Sequence, residues 1–338
     1  MIVEIHTLRD CIHLMKYLAT GATGLLGNNI VRQLLDRGEE VRVLARQECD
    51  KRPLAGLSVE SVTGDLRDAD SVKRACNGMD VVIHSAGYVH IGWTRGDVHR
   101  RINVEGTRNV AIAAREAGAR LVHVSTTNAL GLGSLEKPAD EETALPGIVE
   151  VPYVTSKREA ERVVLEEVKR GLWAVIVSPS TMFGPWDWRP SSGKMLLEVT
   201  RFSLFGPVGA QNFGDVRDVA AGAISAAERG RPGERYILGG HNLSFREAWT
   251  KMAALAGKAG PRLPMGPIFR AIAGPVCDLR TLIARSEGAA NSAALALGCQ
   301  SHCFTSAKAQ NELGYTIRPF DETLADAWRW FGEHGYVK

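Results

Sequence analysis

The sequence predicts an α/β fold in which an open, doubly wound parallel sheet is covered by helices. Three observations predict it: short apolar runs alternate with helical patterns from residue 15 to 178, the helical patterns end at glycines, and a glycine-rich turn follows the first apolar run. This alternation is typical of parallel sheets, because each parallel strand needs a crossover connection, usually a helix. The 338 residues suffice for this sheet and a smaller second lobe.

Six apolar runs are predicted as strands. They are KYLAT from Lys16, EVRVLA from Glu40, SVESVTG from Ser58, DVVIHSA from Asp80, RLVHVS from Arg120 and WAVIVS from Trp173. The pattern also predicts a helix over 25–37 that ends at Gly38 and another over 104–117 that ends at Gly118, since glycine favours the left-handed conformation of a helix C-cap. Together these elements indicate a Rossmann-type sheet.

A second, mostly helical lobe is predicted after residue 178, where prolines and glycines interrupt the alternation. Ser244 to Glu247 form a capping box that opens a helix, and the segment 321–331 reads as a closing helix. We therefore expect a cofactor domain over 15–178 and about 214–240, a substrate lobe over 179–213 and 241–338, and an N-terminal extension over 1–14. The stretch 265–301 carries only five charged residues, which predicts a buried helix pair or, alternatively, an apolar wall over a ligand.

Composition excludes several classes of protein. Apolar residues make up 45% and charged residues 23%, values that exclude disorder, collagen and coiled coil. The net charge of +3 is spread without basic clusters, so nucleic acid and anionic membrane surfaces are not expected as partners. No apolar run approaches the ~18 residues that span a bilayer, and the N-terminus lacks secretory features. Six scattered cysteines predict a reduced, cytoplasmic protein without a metal site.

The glycine-rich turn predicts a dinucleotide site. Gly21, Gly24 and Gly27 follow the first strand at three-residue steps and open the first helix. A phosphate binds free backbone N–H groups at the positive end of a helix, and glycine allows the close approach that this requires. A purely steric role for such a turn is the alternative, but the six alternating strands favour the nucleotide.

Arg46, at the end of the second strand, predicts the kind of dinucleotide. A residue about 20 positions beyond the glycines faces the adenosine ribose, where an acid accepts the 2′-hydroxyl of NAD and an arginine pairs with the 2′-phosphate of NADP. No acid stands there in VRVLAR, so we predict NADP(H). A solvated surface arginine is the alternative.

Tyr153 and Lys157 form a candidate acid–base pair. The steps 153, 157, 160, 164 and 168 trace one helix face, which places a phenol and an ammonium group on the side directed to the core. A tyrosine that titrates near 10 needs a neighbouring cation to act as an acid or base near neutral pH. A hydroxyl cluster, Ser125 to Thr127, ends the fifth strand at the sheet edge where ligands bind.

These motifs together resemble the extended short-chain dehydrogenase/reductase family over residues 15–338. The resemblance rests on TGATGLLG from Thr20, GDL from Gly64, HSAG from His84, NVEGT from Asn103 and the Tyr153/Lys157 pair. Within that family, SPSTMFGP from Ser178 and GDVRDVAAG from Gly214 are more similar to dihydroflavonol reductases and hopanoid-associated sugar epimerase-like proteins than to the sugar-nucleotide enzymes. Thr127 and Asn128 stand where dehydratases carry an Asp-Glu pair, which counts against dehydration.

The resemblance implies roles for particular residues. It implies catalysis by Thr126, Tyr153 and Lys157, with Ser125 as the alternative hydroxyl, and with Lys157 lowering the pKa of the tyrosine. The implied cofactor contacts are Gly21, Thr23, Gly24, Leu25, Leu26, Arg46, Asp65, Leu66, Ser85, Ala86, Gly87, Tyr153, Lys157 and Pro179. It also implies a homodimer built through the helices at 104–117 and 153–169.

Three functions are compatible with these residues. The main hypothesis is an NADPH-dependent reductase of a ketone or aldehyde, with Tyr153 as proton donor. The second is a sugar or sugar-nucleotide epimerase with a retained cofactor, and the third a non-catalytic NADP(H)-sensing protein. We expect a bulky, partly apolar small-molecule substrate from Tyr88, Trp93, Trp186, Trp188 and the apolar stretch from Met265, any of which could instead be core.

Overall fold

The computed structural model describes residues 14–337, except Pro146, Ser203, Arg285, Ala289 and Ala290. The predicted N-terminal extension therefore lies outside the described residues, apart from Leu14. Strands occur at β1 Lys16–Thr20, β2 Glu40–Ala45, β3 Glu60–Thr63, β4 Val81–His84, β5 Arg120–Val124, β6 Ala174–Pro179, β7 Thr181–Phe183, β8 Phe205–Pro207, β9 Ala210–Asp215, β10 Arg235–Leu238, β11 His241–Ser244, β12 Leu263–Met265 and β13 Ser301–His302.

Helices separate these strands. They are α1 Leu25–Asp36, α2 Ala69–Cys76, α3 Gly96–His99, α4 Gly106–Ala117, α5 Pro152–Lys169, α6 Ser192–Arg201, α7 Val216–Arg229, α8 Phe245–Ala254, α9 Pro267–Ala284, α10 Ser292–Gly298, α11 Ala307–Leu313 and α12 Phe320–Glu333. Short 3₁₀ turns lie at Arg52–Leu54 and Thr127–Ala129. The glycines that end α1 and α4 have positive φ angles, 81° at Gly38 and 71° at Gly118, as a left-handed C-cap requires.

The central sheet of the described chain has seven parallel strands in the order β10-β6-β5-β4-β1-β2-β3. All six predicted strands lie in it, and the predicted Rossmann-type fold is confirmed. The seventh strand, β10, was not predicted as a strand. It returns to the sheet from a distant segment and pairs with β6, so that Leu238 lies opposite Pro179.

Two apolar layers cover the faces of this sheet. One is built around α1 and α7 and contains Ile30, Leu34 and Val219; the other is built around α2, α4 and α5 and contains Val72 and Val110. Burial of both faces explains why the strands are nearly continuous apolar runs rather than alternating ones.

The helix predicted over 104–117 begins earlier than its apolar pattern indicates. Residues Arg100–Glu105 form a π-helical segment that continues from α3 into α4. The first turns carry few apolar side chains, because residues 96–101 lie at the surface except where Val98 and His99 turn inward. Periodicity therefore detects only the later part of this helix.

The second lobe combines helices with small sheets. Strand β9 pairs with β11, β13 and β7, and β8 pairs with β12. Its core contains stacked rings, among them Phe213 and Phe320 with centroids 5.4 Å apart. The serine half of the predicted capping box is present, since the hydroxyl of Ser244 accepts a hydrogen bond from the backbone N–H of Glu247 at 3.1 Å. The predicted closing helix is α12.

The buried helix pair predicted in 265–301 is wrong for its first helix. Helices α9 and α10 contact each other, but α9 is exposed along most of its length and only Gly274 is buried. The reason is that a low content of charged residues describes the composition of a helix but does not determine whether the helix is buried or exposed. Helix α10 contributes the buried Ala293 to an apolar cluster around Tyr153, so the alternative, an apolar wall, describes α10 better.

Candidate active site

The candidate site lies where parallel strands end at the carboxyl edge of the sheet. The register aligns Thr20 with His84, and His84 with His123. The segments that follow β1, β4, β5 and β6 therefore meet at one edge. They carry the glycine loop, Ser85 to Gly87, the hydroxyl cluster and Pro179, which are four of the groups that the sequence singles out.

The glycine loop leaves the start of α1 open for an anionic group. Gly24 is the N-cap of α1 and provides no side-chain cap. Gly21 has φ of +75°, and a Cβ atom there would lie 2.7 Å from the backbone nitrogen of Ala86. Gly27 packs equally tightly, because its Cβ would meet the carbonyl oxygen of Gly21. These close approaches, with uncapped N–H groups at the helix start, fit the diphosphate of a dinucleotide.

The sides of this loop are formed by other predicted cofactor residues. Leu25 and Leu26 are buried in the first turn of α1, and Thr23 is half-buried beside them. The hydroxyl of Ser85 donates a hydrogen bond to the carbonyl of Thr20 at 2.7 Å, which joins β4 to the glycine loop. Ser85 and Ala86 are half-buried and Gly87 is exposed, so this segment lines the edge and remains accessible.

The predicted adenosine end lies at β2 and β3. Arg46 follows β2 and is exposed, while Asp65 and Leu66 follow β3 and are half-buried. A hydrogen bond from Arg67, at 2.7 Å, is the largest cause that lowers the pKa of Asp65 to about 2, and the positive charge of Arg46 acts in the same direction. The two predicted residues Arg46 and Asp65 therefore share one surface, and Asp65 is ionised there.

Tyr153 and Thr126 face each other at the end of β5. Helix α5 begins at Pro152, so Tyr153 lies in its first turn and is buried. Burial raises the pKa of the Tyr153 phenol, and a hydrogen bond with the hydroxyl of Thr126 acts in the opposite direction. The two hydroxyls that the resemblance assigns to catalysis are thus close enough for Thr126 to influence the pKa of Tyr153.

Lys157 lies one helical turn beyond Tyr153. Its ammonium group donates a hydrogen bond to the carbonyl of Val124 at 2.6 Å. Burial lowers the pKa of Lys157 to about 8, although the negative charge of Glu161 opposes this. The expected lowering of the tyrosine pKa by Lys157 stays a prediction, because the net shift of Tyr153 in the protein alone is upward.

Ser125 has a different environment from Thr126. Its hydroxyl donates a hydrogen bond to the carboxylate of Glu161, which also forms an ion pair with Arg235. All three side chains are at least largely covered. Ser125 therefore joins the end of β5 to α5, and Glu161 extends this link to β10. The geometry favours Thr126 over Ser125 as the hydroxyl available to a substrate.

Asn103 lies in the NVEGT motif but is not among the predicted site residues. Its amide oxygen accepts from the backbone of Tyr88 at 2.7 Å, and its amide nitrogen donates to Tyr88 and to Ser156 at 3.0 Å. It thereby ties the loop after β4 to α5. The NVEGT motif was the signal that could have found it.

Glu287 is a second residue that the sequence analysis missed. This buried carboxylate, three residues beyond α9, accepts hydrogen bonds from His90 at 3.0 Å and from the backbone of Trp93 and Thr94 at 2.9 and 3.0 Å. Burial would raise its pKa, but the hydrogen bonds from Thr94 and His90 lower it to about 2. It joins the second lobe to the loop over 88–95, and no motif in the charge-poor stretch marks it.

The aromatic residues expected to line a substrate cleft divide into two groups. Tyr88 packs against His99, which in turn packs against Tyr153 at 6.0 Å. Trp186 and Trp188 instead pack around Trp330 in the core of the second lobe. The two tryptophans therefore contribute to that core, which was the alternative interpretation.

Two further observations concern the described part of the chain. It contains no group of three or more His, Cys, Asp or Glu side chains placed to hold a metal ion. None of its helices is both long enough and apolar enough to cross a bilayer.

The family model of NAD-dependent epimerases and dehydratases matches residues 17–239, which include the glycine loop, Tyr153 and six of the seven sheet strands in full. The chain belongs to this family. Its members include the extended short-chain dehydrogenases/reductases, so the resemblance stated from the motifs is confirmed.

Three relatives of this epimerase/dehydratase family member match nearly its whole length. "Sterol demethylase protein B" of Methylococcus capsulatus is 36% identical, with 96% of the chain and 100% of the relative covered. "Putative dihydroflavonol 4-reductase" of Synechocystis is 33% identical, with 95% and 96% covered. The "4-hydroxy-2-methyl-3-oxo-4-farnesyl-3,4-dihydroquinoline-1-oxide ketoreductase" of Stigmatella aurantiaca is 31% identical, with 95% and 98% covered.

Proposed function

We propose that the protein is an NADPH-dependent oxidoreductase that reduces a ketone or aldehyde to an alcohol. The observation that carries the proposal is that the buried Tyr153 at the start of α5 and the buried Thr126 just after β5 lie at the same carboxyl edge, with Lys157 one turn away. Relatives named as reductases support a nicotinamide-dependent oxidoreductase. The division into a cofactor domain and a substrate lobe, with the boundaries predicted from the sequence, is part of this proposal.

Each residue of the site has its own role in the proposed carbonyl reduction. NADPH, when bound at the glycine loop, would supply the hydride for the carbonyl carbon. Tyr153 donates its phenolic proton to the carbonyl oxygen, so that hydride and proton together give the alcohol. Thr126 donates a hydrogen bond to the same oxygen while negative charge develops on it. Lys157, protonated at neutral pH, stabilises the phenolate that remains and holds the nicotinamide ribose.

Arg46 supports NADPH over NADH within this proposal. Its guanidinium follows β2, is exposed, and acts on Asp65 through its positive charge. A free guanidinium at this position can form charge-assisted hydrogen bonds with a 2′-phosphate, which NADH lacks. Asp65 is already paired with Arg67, so Arg46 keeps its donors for a ligand.

A bulky, partly apolar carbonyl compound is the proposed substrate. The apolar cluster around Tyr153 includes Val151 and Ala293, and Ile91 and Leu297 pack against it from the loop after β4 and from α10. Two relatives carry names that refer to compounds of this kind, one to a sterol and one to a farnesylated quinoline. Apolar walls with few polar groups are typical of sites for such ligands.

The test is NADPH consumption, against matched NADH, over aromatic and aliphatic aldehydes, cyclic ketones, sterol ketones and flavonoid-like ketones. We expect turnover with NADPH that is lost in Tyr153→Phe while NADPH binding, followed by its fluorescence, persists. Tyr236→Phe, which removes a phenol from β10, is the matched control. Retained turnover in Tyr153→Phe would sink the mechanism. Binding of NADPH without reduction of any carbonyl would instead favour the epimerase, in which the purified protein should retain its cofactor.

Two further expectations remain part of the proposal. A homodimer through α4 and α5 predicts twice the chain mass in light scattering, and substitutions at exposed positions of those helices would separate the copies. A cytoplasmic location predicts that the protein fractionates away from secreted proteins.

A further inference from the structure

Helix α9 carries an exposed apolar face. Six large aliphatic side chains on it are between 57% and 80% exposed. They are Ile268, Ile272, Val276, Leu279, Leu282 and Ile283. Their spacing by three, four or seven residues places them on one side of the helix. At about 1.5 Å per residue this side runs for roughly 27 Å along the surface.

The opposite side of α9 attaches the helix to the protein. Phe269, Ala273, Cys277 and Thr281 recur at four-residue steps and are half-buried, and Gly274 is buried. The ring of Phe269 lies 5.6 Å from that of Phe205 in β8. A surface helix of a globular protein usually turns its apolar stripe to the core. Here a second apolar stripe faces outward, so its role is not internal packing.

The exposed apolar surface extends beyond α9 onto the neighbouring β8–β12 pair. Phe202, Leu204, Val208 and Leu263, which flank or belong to these two strands, are between 41% and 66% exposed. Strand β12 leads directly into α9, so the helix and these side chains adjoin. Extended apolar surfaces of this kind mark sites that contact another apolar phase.

Basic side chains accompany this surface. Residues 256–284 contain four Lys or Arg and a single Asp, a net charge of +3 that equals the net charge of the whole chain. Arg262, Arg270 and Arg280 are exposed, and none of them forms an ion pair with a described residue. The net charge of the whole chain conceals this local excess of positive charge. For that reason the overall composition does not predict an anionic surface as a partner.

We propose that the outward face of α9 lies on an anionic lipid bilayer. The six aliphatic side chains would enter the boundary between headgroups and acyl chains, while the arginines contact anionic headgroups. A second copy of the chain fits less well, because a two-fold pairing of this face would bring two patches of the same net positive charge together. The helix lies on the bilayer and does not cross it.

This arrangement places the bilayer next to the candidate active site. Glu287 follows α9 by three residues and holds the loop over 88–95, and α10 packs in the apolar cluster around Tyr153. A lipophilic substrate could therefore pass from the bilayer to the site past α9 and α10. The binding inference rests on the surface alone and does not depend on the proposed reductase chemistry.

The test is flotation of the full chain with vesicles. One set is phosphatidylcholine alone, and the other is equal parts phosphatidylcholine and phosphatidylglycerol. We expect the protein to float with the anionic vesicles, and the double variant Ile272→Glu/Leu279→Glu to bind them about tenfold or more weakly. Substitution of Arg262, Arg270 and Arg280 by Gln should weaken binding on the order of tenfold on anionic vesicles. Leu135→Glu, an exposed leucine on another surface, is the matched control.

Thermal unfolding checks that each variant folds. We expect the double variant to fold, because the two introduced glutamates would point into water. Failure of the unsubstituted chain to float with anionic vesicles would overturn the proposal, and so would equal binding by the double variant. Light scattering without vesicles provides a separate test. A dimer that the double variant converts to a monomer would make this face a contact between copies, and would also overturn it.

Discussion

Ser125 donates its hydroxyl hydrogen bond to Glu161, whereas its neighbour Thr126 faces the phenol of Tyr153. Glu161 also pairs with Arg235 in β10, so the serine belongs to a contact between a helix and the sheet. Two adjacent hydroxyls at the end of one strand thus have different partners, because successive side chains of an extended segment point to opposite sides.

Thr126→Val should remove the hydrogen bond to the reacting oxygen and leave the fold intact. We expect kcat to fall by roughly 100-fold or more, the effect of losing one donor to a developing negative charge. Ser125→Ala is the matched control, and it should instead lower the free energy of unfolding by about 1–3 kcal/mol, since Glu161 loses a buried partner. Steady-state kinetics and urea unfolding distinguish the two. The assignment would be reversed if Ser125→Ala lost turnover and Thr126→Val kept it.

Arg46→Ala should weaken the binding of NADPH and leave that of NADH unchanged. Charge-assisted hydrogen bonds to a phosphate contribute about 1.5–3 kcal/mol, so the KM for NADPH should rise on the order of 10- to 100-fold. Arg74→Ala, an exposed arginine at the end of α2, is the control. An unchanged KM for NADPH in Arg46→Ala would show that this arginine is a surface residue without a role in cofactor choice.

Lys157 predicts a pH dependence of cofactor binding. Burial lowers its pKa to about 8 from its ordinary value of 10.5, so the folded protein loses this proton before the unfolded chain does as the pH rises. Below about pH 8, protonated Lys157 therefore lowers the free energy of unfolding. This destabilisation is lost as the pH rises from 8 to 10.5. Over the same pH range the nicotinamide ribose loses the positively charged partner that Lys157 would provide. The affinity for NADPH should therefore fall several-fold.

Fluorescence titration of NADPH between about pH 7 and 10 measures this dependence. Lys157→Arg is the control, because a guanidinium stays protonated throughout that range. Its affinity should be flat with pH even if it is weaker overall. A decline of the same size in Lys157→Arg would assign the titration to another group.

Glu287→Gln should loosen the loop over 88–95. The carboxylate accepts hydrogen bonds from two backbone N–H groups and from His90, so its replacement should cost about 1–3 kcal/mol of unfolding free energy. The pKa of Glu287 in the folded protein, about 2, lies below the ordinary glutamate value of 4.5. The difference between wild type and variant should therefore be complete above pH 4.5 and shrink as the pH falls towards 2.

Urea unfolding at pH 7 and at about pH 3 checks this window. Glu198→Gln, an exposed acid on α6, is the control and should change little at either pH. A difference that stays constant between the two pH values would mean that the charge of Glu287 does not stabilise the loop.

The sheet, and the edge at which the candidate site residues meet, could be predicted from the sequence because both follow from local patterns. Apolar runs, glycine caps and the steps from Tyr153 to Lys157 each depend on neighbours within about two turns of chain. The register of parallel strands then brings Thr20, Ser85 and Thr126 to one edge without further information.

The parts that could not be predicted depend on contacts between distant segments. Strand β10 pairs with β6 across residues 180–234, and Glu287 reaches His90 across almost two hundred positions. Nothing within either segment specifies such a partner. The exposure of α9 is a third case, because apolar spacing defines a face but not what that face contacts.

The late return of β10 has a consequence for protein synthesis. Strand β6 leaves the ribosome with one edge paired to β5 and the other unpaired, and it stays so until residue 238 has emerged. At ordinary elongation rates that interval lasts roughly 3 to 12 s. An unpaired apolar strand edge is a template for association with other nascent chains. Slow translation of residues 180–234 should therefore increase aggregation and the need for a chaperone.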